Sequence, residues 1–320
     1  MRIMTSYWHR FKQWFENNID RWPDFLGWLM LGFGLIGFIS EYFRWSFLYI
    51  PILSDLILRV WPELFGIGIA VIVIDNANEL LREREEKKRL ILQMGSPTNA
   101  FALESVRQLR ARGWLKDGSL QGAYLLGANL EKANLGEANL KGARLMDANM
   151  QGAYLIKANL EQAWLEDAKL VEANLTKANL ESAILDDATL KGADLWMANL
   201  QGAKLRRSNL EGANLREAHL SNAILERANL TGANLIEAHL IFTKMGQAKL
   251  DRAILEGAEI LSVDFKDSSI TTEQLASAII LDGKPMLDGI PRGIGTIMPN
   301  GTVINPKNFE VNQEEQEIQA

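Results

Sequence analysis

Two histidines and a glutamate stand 20 residues apart in this chain of 320, at His219, His239 and Glu259. Zinc accepts ligands of these types, so a fold that repeats every 20 residues would stack them into a possible zinc site. The earlier positions of the same series are asparagines, which favours a second interpretation, a solvated ladder whose stacked amides exchange hydrogen bonds. The ladder is the preferred interpretation, and its members are Asn139, Asn159, Asn179, Asn199, His219 and His239.

A second set of residues has the chemistry of a protein-binding surface. Large apolar residues recur in the 20-residue series that begins at Tyr124. In another series with the same spacing, an isoleucine or tryptophan directly follows a leucine at three positions. Outward-pointing apolar stripes often mark partner or self-association surfaces, although aromatic and β-branched residues also favour strand positions for packing reasons alone. The predicted partner face comprises Tyr124, Trp164, Ile184, Ile224, Ile156, Trp196 and Ile236.

No constellation typical of an enzyme accompanies these residues. The sequence has no cysteine, no phosphate-binding Gly-Lys-Ser/Thr loop and no nucleophile elbow. The lack of cysteine excludes disulfides and thiol chemistry and suits a reducing compartment. We therefore predict a protein that is not an enzyme, with no catalytic residues, no cofactor and no resident metal.

All of these positions depend on a pattern of five residues that runs from Gln121 to Ile260. An alanine, any residue, a leucine and two mostly polar residues recur over 28 consecutive registers, a period that fits neither a helix nor a flat strand. It does fit a coiled ribbon that turns a corner once per repeat, with one small and one large residue pointing inward. Asparagine is common between Ala and Leu, and it tolerates turn conformations well.

Runs such as Ala128-Asn129-Leu130 and Ala133-Asn134-Leu135 resemble the pentapeptide repeat family, whose pattern is A(D/N)LXX. The resemblance covers about 140 residues and implies an all-β solenoid, a right-handed quadrilateral β-helix of about seven coils with one repeat on each of four faces. With coils stacked at roughly 4.8 Å, the rod would be about 34 Å long. The resemblance says much less about function, because a fold does not determine a function.

The segments on either side of the repeat predict a helical anchor and two caps. Residues 25–40 carry no charge and a second apolar run covers 57–74, which suits two transmembrane helices after an amphipathic start. The predicted domains are 1–75, amphipathic N-terminus and transmembrane helices; 76–95, charged helical stalk; 96–118, N-terminal capping helix; 119–270, β-helix; 271–282, C-terminal capping helix; and 283–320, flexible tail with Gly and Pro.

The second apolar run allows two interpretations. It either completes a transmembrane hairpin, which we favour, or follows a single span as a buried or interfacial helix. Basic residues flank the hairpin on both sides, among them Arg10, Lys12, Lys87 and Lys88. The positive-inside bias then predicts an integral membrane protein of a bacterial plasma or thylakoid-type membrane, with both termini and the repeat domain in the cytoplasm. Residues 22–75 would contact membrane lipid.

These features predict a non-enzymatic, membrane-anchored scaffold that presents a rigid rod to an unknown protein partner or to another copy of itself. One alternative is an oligomeric membrane assembly with a transport or sensing role. Another is a topoisomerase inhibitor of the DNA-mimic type, which the family resemblance suggests. Residues 121–262 carry 18 acidic and 15 basic side chains, whereas about 34 Å of duplex DNA carries roughly 20 negative charges. The charge disfavours DNA mimicry, and we expect no nucleic-acid partner.

Overall fold

The computed structural model describes residues 51–281 and 296–304. Its helices are α1 (Pro51–Met94), α2 (Asn99–Ala111) and α3 (Thr272–Ala276). Its strands are β1 (His239–Ile241), β2 (Glu259–Leu261), β3 (Ile279–Ile280), β4 (Thr296–Ile297) and β5 (Val303–Ile304). The predicted amphipathic segment 1–21 and the first predicted membrane span, 25–40, lie outside the described residues. The chain divides into two compact units, Met1–Glu86 and Lys87–Ala320.

The predicted integral membrane localisation is wrong. Among the residues that the structure describes, no helix has a stretch long and apolar enough to cross a membrane. The charge-free part of α1 is short: Leu64 to Ile74 is eleven residues, which rise only about 16 Å in a helix, whereas the hydrocarbon core is about 30 Å thick. The cytoplasmic orientation, the lipid contact through residues 22–75 and the transport assembly all depended on that anchor.

The repeats form a solenoid because each pentapeptide buries two side chains and extends one outward. The repeated Ala and Leu positions are almost completely buried along the whole rod, as at Ala163 and Leu165. The residue between them bonds to the neighbouring coils in parallel: Leu165 N donates to Ile184 O (2.6 Å), and Ile184 N donates to Ala163 O (2.9 Å). Neighbouring coils are therefore joined mostly by single-residue bridges between residues 20 apart. Within the described rod, longer pairing occurs where β1, β2 and β3 pair in that order on one face.

Every corner of the solenoid is a tight turn with the same backbone conformation. After each leucine the chain turns within two residues, and Ala168 N donates to Leu165 O (3.1 Å) to close one such turn. The second turn residue has a positive φ in every register from Gly122 to Asp267. Most of these residues carry side chains, for example Gln162 with φ 57°, although L-residues rarely adopt this region. The stacked hydrogen bonds on both sides of the corner hold them there.

Two positions in the alanine register carry hydroxyl groups, Ser208 and Thr243. Both side chains are buried, so each hydroxyl needs a hydrogen-bond partner inside the rod. Ser208 Oγ donates to Leu205 O (2.8 Å) and Thr243 Oγ1 donates to Leu220 O (2.9 Å). The interior therefore tolerates a small polar residue only where a backbone carbonyl accepts its proton.

The N-terminal end of the rod is covered by α2 and by the last two turns of α1. Leu90, Met94 and Leu109 are buried in the same core as the repeats. From Lys87 onward α1 is thus part of the cap, whereas the sequence predicts a charged stalk over 76–95. Lys87 Nζ bonds Asp117 Oδ2 at 2.9 Å. Burial raises the pKa of the Asp117 carboxyl, but the hydrogen bonds from Lys87 and Ser119 outweigh it and hold that pKa below its usual range.

Two side chains of α2 complete the hydrogen bonds of the first coil. Asn99 Nδ2 donates to the carbonyls of Asn129 (3.3 Å) and Glu131 (3.1 Å). Arg110 Nη2 donates to the carbonyls of Asn134 (2.8 Å) and Gly136 (3.1 Å). These carbonyls have no preceding coil to bond, and each side chain satisfies two of them at one corner.

The C-terminal end is covered by α3 and by a hairpin. Gln274 Nε2 donates to Leu250 O and Ala253 O, both at 2.8 Å, and Thr271 caps α3. Strands β4 and β5 pair antiparallel, and Ile297 exchanges hydrogen bonds with Phe265 and Val263 at 2.8 Å. The sequence predicts no regular structure for residues 283–320. In the structure, residues 296–304 form β4 and β5, and β4 adds a further strand to one face of the rod. The remainder of that segment lies outside the described residues.

Candidate interaction faces

The four faces of the rod are defined by the outward residue between each Ala and Leu, here for seven coils. Face 1 carries Asn139, Asn159, Asn179, Asn199, His219, His239 and Glu259. Face 2 carries Tyr124, Arg144, Trp164, Ile184, Lys204, Ile224 and Lys244. Face 3 carries Asn129, Asn149, Lys169, Thr189, Asn209, Asn229 and Lys249. Face 4 carries Asn134, Tyr154, Asn174, Asp194, Asn214, Asn234 and Ile254. The chain visits them in the order 2, 3, 4, 1 within each coil.

Asparagine on faces 1, 3 and 4 has a structural role that its hydrogen bonds make explicit. Asn179 Oδ1 accepts the N–H of Glu181 (3.2 Å), which tightens the corner that follows. It also accepts from Asn199 Nδ2 (3.0 Å), which joins neighbouring coils. Asn or Asp fills 13 of the 21 outward positions on these three faces and none of the seven on face 2. The outward residues of face 2 therefore lack the hydrogen bonds that the short Asn and Asp side chains make on the other three faces.

Face 2 presents large side chains, which stack on one another at its N-terminal half. Tyr124 is 69% exposed and Trp164 is 42% exposed. The Arg144 guanidinium carbon lies between them, 4.4 Å from the Tyr124 ring centroid and 5.5 Å from that of Trp164. Such cation–π contacts hold the guanidinium against the rings. The result is a continuous surface of flat groups over three coils.

The remaining three members of the predicted partner face lie elsewhere. Ile156, Trp196 and Ile236 occupy the corner between face 4 and face 1, and the whole width of face 1 separates that corner from face 2. Trp196 is 37% exposed; Lys177 Nζ lies 5.0 Å from its ring centroid, and its Nε1 donates to Glu217 Oε1 (3.4 Å). The structure therefore does not bring the seven residues into one surface.

The predicted ladder lies along face 1. Asn159, Asn179 and Asn199 each donate to the asparagine one coil earlier, at 3.0–3.4 Å. The rings of His219 and His239 stack, with centroids 4.6 Å apart and planes 11° apart. Burial is the main cause that lowers the pKa of His219, followed by the charge of His239, whereas Glu259 opposes the shift.

The stacked histidines are poorly placed to share a metal ion. Imidazole binds a metal in the plane of its ring, and nearly parallel planes do not converge on a point about 2 Å from both nitrogens. His239 Nδ1 already lies 2.5 Å from Glu259 Oε2. Throughout the part of the chain that the structure describes, no three His, Cys, Asp or Glu side chains are grouped so that they could hold a metal.

Sequence analysis missed a column of charges at the corner between faces 2 and 3. Carboxylates predominate in the first coils and guanidinium groups in the later ones, where Glu226 is the column's one carboxylate over residues 201–260. The signal was present in the sequence, because all of these residues fall in two registers that repeat every 20 positions. They are Asp147, Glu166, Asp167, Asp186 and Asp187, then Arg206, Arg207, Glu226 and Arg227.

A family model described as Pentapeptide repeats matches the chain in eight copies, over residues 123–162, 158–196, 197–232 and 233–271. No curated protein matches the chain. Among solved structures, one similar to this chain is HetL, a pentapeptide repeat protein involved in heterocyst differentiation regulation from the cyanobacterium Nostoc sp. strain PCC 7120. It is 30% identical over 57% of this chain and 86% of its own, with a TM-score of 0.26.

Two further solved structures extend the comparison. A pentapeptide repeat protein of the Arabidopsis thaliana thylakoid lumen is 30% identical over 35% of this chain and 71% of its own, with a TM-score of 0.25. QnrB1, a plasmid-mediated fluoroquinolone resistance protein, is 15% identical over 50% of this chain and 81% of its own, with a TM-score of 0.42.

Proposed function

The chain belongs to the pentapeptide repeat family, and on this premise we propose that it is a non-enzymatic scaffold that binds a protein partner through face 2. Proteins of this family are generally structural or interaction proteins. The rod is a rigid support for such a surface, because every coil is bonded to the next on all four sides. Side chains on a scaffold of this kind are preorganised, which lowers the entropy lost on binding.

The observation that carries the proposal is the absence of Asn and Asp from the seven outward positions of face 2. The same backbone positions on faces 1, 3 and 4 mostly carry Asn or Asp, which stabilise the corners and join the coils. Face 2 uses the same coil geometry without these bonds, so the fold alone does not account for its residues. Large and partly exposed side chains such as Trp164 and Tyr124 are the residue types that concentrate binding energy at protein interfaces.

A pair of tryptophan substitutions tests this proposal. Trp164→Ser removes the tryptophan of face 2, and Trp196→Ser removes a tryptophan of similar exposure from the corner between faces 4 and 1. Proteins captured from a cell extract by the full-length chain would be compared among wild type and both variants. We expect Trp164→Ser to lose captured proteins that Trp196→Ser retains.

Thermal unfolding of both variants controls for damage to the rod, since each side chain is partly exposed and its loss should change stability little. Identical capture by wild type and Trp164→Ser, with both folded, would exclude face 2 as the binding surface. Loss with Trp196→Ser alone would move the site to the other corner.

A further inference from the structure

Face 2 and its two bordering corners have opposite charge in the two halves of the rod. In coils 2–4 (residues 141–200) this surface has seven carboxylates against Lys141 and Arg144, a formal charge of −5. In coils 5–7 (residues 201–260) it has five cations against Glu226, a formal charge of +4. The carboxylates are Asp147, Glu161, Glu166, Asp167, Glu181, Asp186 and Asp187, and the cations are Lys204, Arg206, Arg207, Arg227 and Lys244.

The charges at the middle of the surface neutralise one another within the chain. Arg206 lies 3.4 Å from both Asp186 and Glu226, and Arg207 pairs with Asp187. The hydrogen bond from Arg207 is the main cause that lowers the pKa of the Asp187 carboxyl. These pairs leave the two ends of the surface as the uncompensated part.

The uncompensated groups lie at matching distances from the middle. Asp147, Glu166 and Asp167 on coils 2 and 3 have no ion pair within the described residues, and Glu166 Oε2 is shielded from solvent without a hydrogen-bond partner there. On coils 6 and 7, Arg227 bonds only the neutral Gln247 (2.9 Å), and Lys244 has no carboxylate partner in the same described part. Three unpaired carboxylates thus face one end and unpaired cations the other.

We propose that face 2 binds face 2 of a second copy of this chain, with the two rods antiparallel. A two-fold axis across the face, between coils 4 and 5, places coil 3 on coil 6 and coil 2 on coil 7. Each corner between faces 2 and 3 then meets the same corner of the other copy, so Asp167 meets Arg227 and Asp147 meets Gln247. On face 2 itself, Arg144 lies opposite Lys244. The symmetry makes every such contact twice.

The apolar residues of face 2 fit the same arrangement. Trp164 on coil 3 meets Ile224 on coil 6, and Ile184 meets the aliphatic stem of Lys204 beside the axis. In a parallel dimer, the corner between faces 2 and 3 of one copy would instead meet the corner between faces 1 and 2 of the other. Asp186 and Asp187 would then lie against Glu181 on the equivalent coil of the second copy. A parallel dimer also places Arg144, Lys204 and Lys244 each opposite its own copy, whereas the antiparallel dimer opposes only Arg144 and Lys244. Like charges opposite one another oppose association, so the antiparallel orientation is favoured.

The size of the face sets the expected strength. Six paired coils (2–7) spaced about 4.8 Å apart give a length of about 29 Å, and a width of about 15 Å gives roughly 430 Å² on each copy. The total of about 900 Å² is slightly below the roughly 1,000 Å² of a stable specific interface and suits a weak, transient contact. The dimer should therefore be reversible at micromolar concentration, and salt should weaken it because its charges lie at an exposed rim. This inference rests on the proposed function of face 2 and names its partner.

A charge exchange across the axis tests the inference in the full-length chain. Asp167→Arg places two arginines together at each of the two symmetric contacts, and Arg227→Asp places two aspartates together. We expect each single change to weaken dimerisation at least about tenfold, and the double change to restore it, because opposite charges meet again. Glu172→Arg is the matched control, because Glu172 occupies the same left-handed turn position one corner further along coil 3.

Sedimentation equilibrium at micromolar concentrations measures the dimer, at low and at high salt. A wild-type chain that remains monomeric overturns the inference, as does a dimer that both single variants leave unchanged or that the double variant fails to restore. The capture experiment with Trp164→Ser reads the binding of other proteins, so face 2 can retain its proposed function when the dimer is refuted.

Discussion

Face 2 and face 1 of the rod have the same interior and different exteriors. Both bury one small residue, mostly Ala, and one large apolar residue, mostly Leu, per coil, and both are joined to neighbouring coils by the same pair of backbone hydrogen bonds. Outside, face 1 carries an Asn and His series in which most neighbours bond or stack, whereas face 2 carries aromatic, aliphatic and basic residues. The fold therefore determines the inward positions, whereas the outward positions of face 2 can serve another requirement.

The largest effect should come from the interior, and it should be equal on the two faces. Leu165 on face 2 and Leu160 on face 1 are both 0% exposed. Replacing either with Ala leaves a cavity and should lower the free energy of unfolding by about 2–5 kcal/mol. Urea unfolding of the two variants measures this directly. A clearly smaller loss at Leu165 would mean that face 2 differs inside as well, and the comparison would then fail.

The outward positions should respond in opposite ways on the two faces. Asn179→Ala removes the acceptor of the Glu181 N–H and the bonds with Asn159 and Asn199, and should cost about 1–2 kcal/mol. Ile184→Asn on face 2 introduces the residue that the fold favours, so its unfolding free energy should stay within about 0.5 kcal/mol of wild type. The same urea titrations measure both. A large loss at Ile184 would show that face 2 also has a structural role.

The interior of the rod could be predicted from the sequence because it is local. The period of five assigns Ala and Leu to the inside at once, and it places His219 one coil before His239. The caps could not be predicted in this way: Arg110 bonds carbonyls 24 and 26 residues away, a contact that depends on the path of α2 rather than on any periodicity. The pairing of Ile297 with Asp264 requires a return of more than 30 residues, and the Gly and Pro residues before it indicated turns only.

The membrane prediction is wrong because apolar content alone does not predict a membrane span. The run around Ile57 to Ile74 was interpreted as a membrane span, but charges leave only eleven residues uninterrupted. Ile156, Trp196 and Ile236, the other members of the predicted partner face, lie at the corner between faces 4 and 1, and face 1 separates them from face 2. By contrast, the preference of Asn for faces 1, 3 and 4 was visible in the sequence, and sorting the outward residues by face would have found it.

The corners should show a smaller effect that is common to both faces. Gly142 and Gln162 occupy the same turn position on consecutive coils, with φ 65° and 57°. Gly142→Ala meets no atom within 4 Å, so its cost of about 1 kcal/mol would come from the backbone conformation alone. Gln162→Gly relieves the same strain, but it also increases the conformational freedom of the unfolded chain, which offsets part of the gain. The free energy of unfolding should therefore rise by about 0.5 kcal/mol. Thermal unfolding compares them, and a loss of stability in Gln162→Gly would refute the strain.

The smallest effect should be a pH dependence confined to face 1. Because the pKa of His219 is lowered in the folded rod, first by burial and then by the charge of His239, the unfolded chain binds its proton more readily. The contribution of His219 to stability is therefore complete above its ordinary pKa near 6.5 and is lost as the pH falls through the lowered value.

His219→Asn should remove this loss, because asparagine continues the series of Asn139 to Asn199 and does not titrate. Between pH 7 and pH 5 the melting temperature of wild type should then fall by about 1–2 °C more than that of the variant, a small difference because the ring is largely solvated. Asn179→Ala on the same face is the control, since it lowers the melting temperature equally at both pH values. If the melting temperatures of wild type and His219→Asn change equally with pH, protonation of His219 does not destabilise the folded rod, and the prediction is wrong.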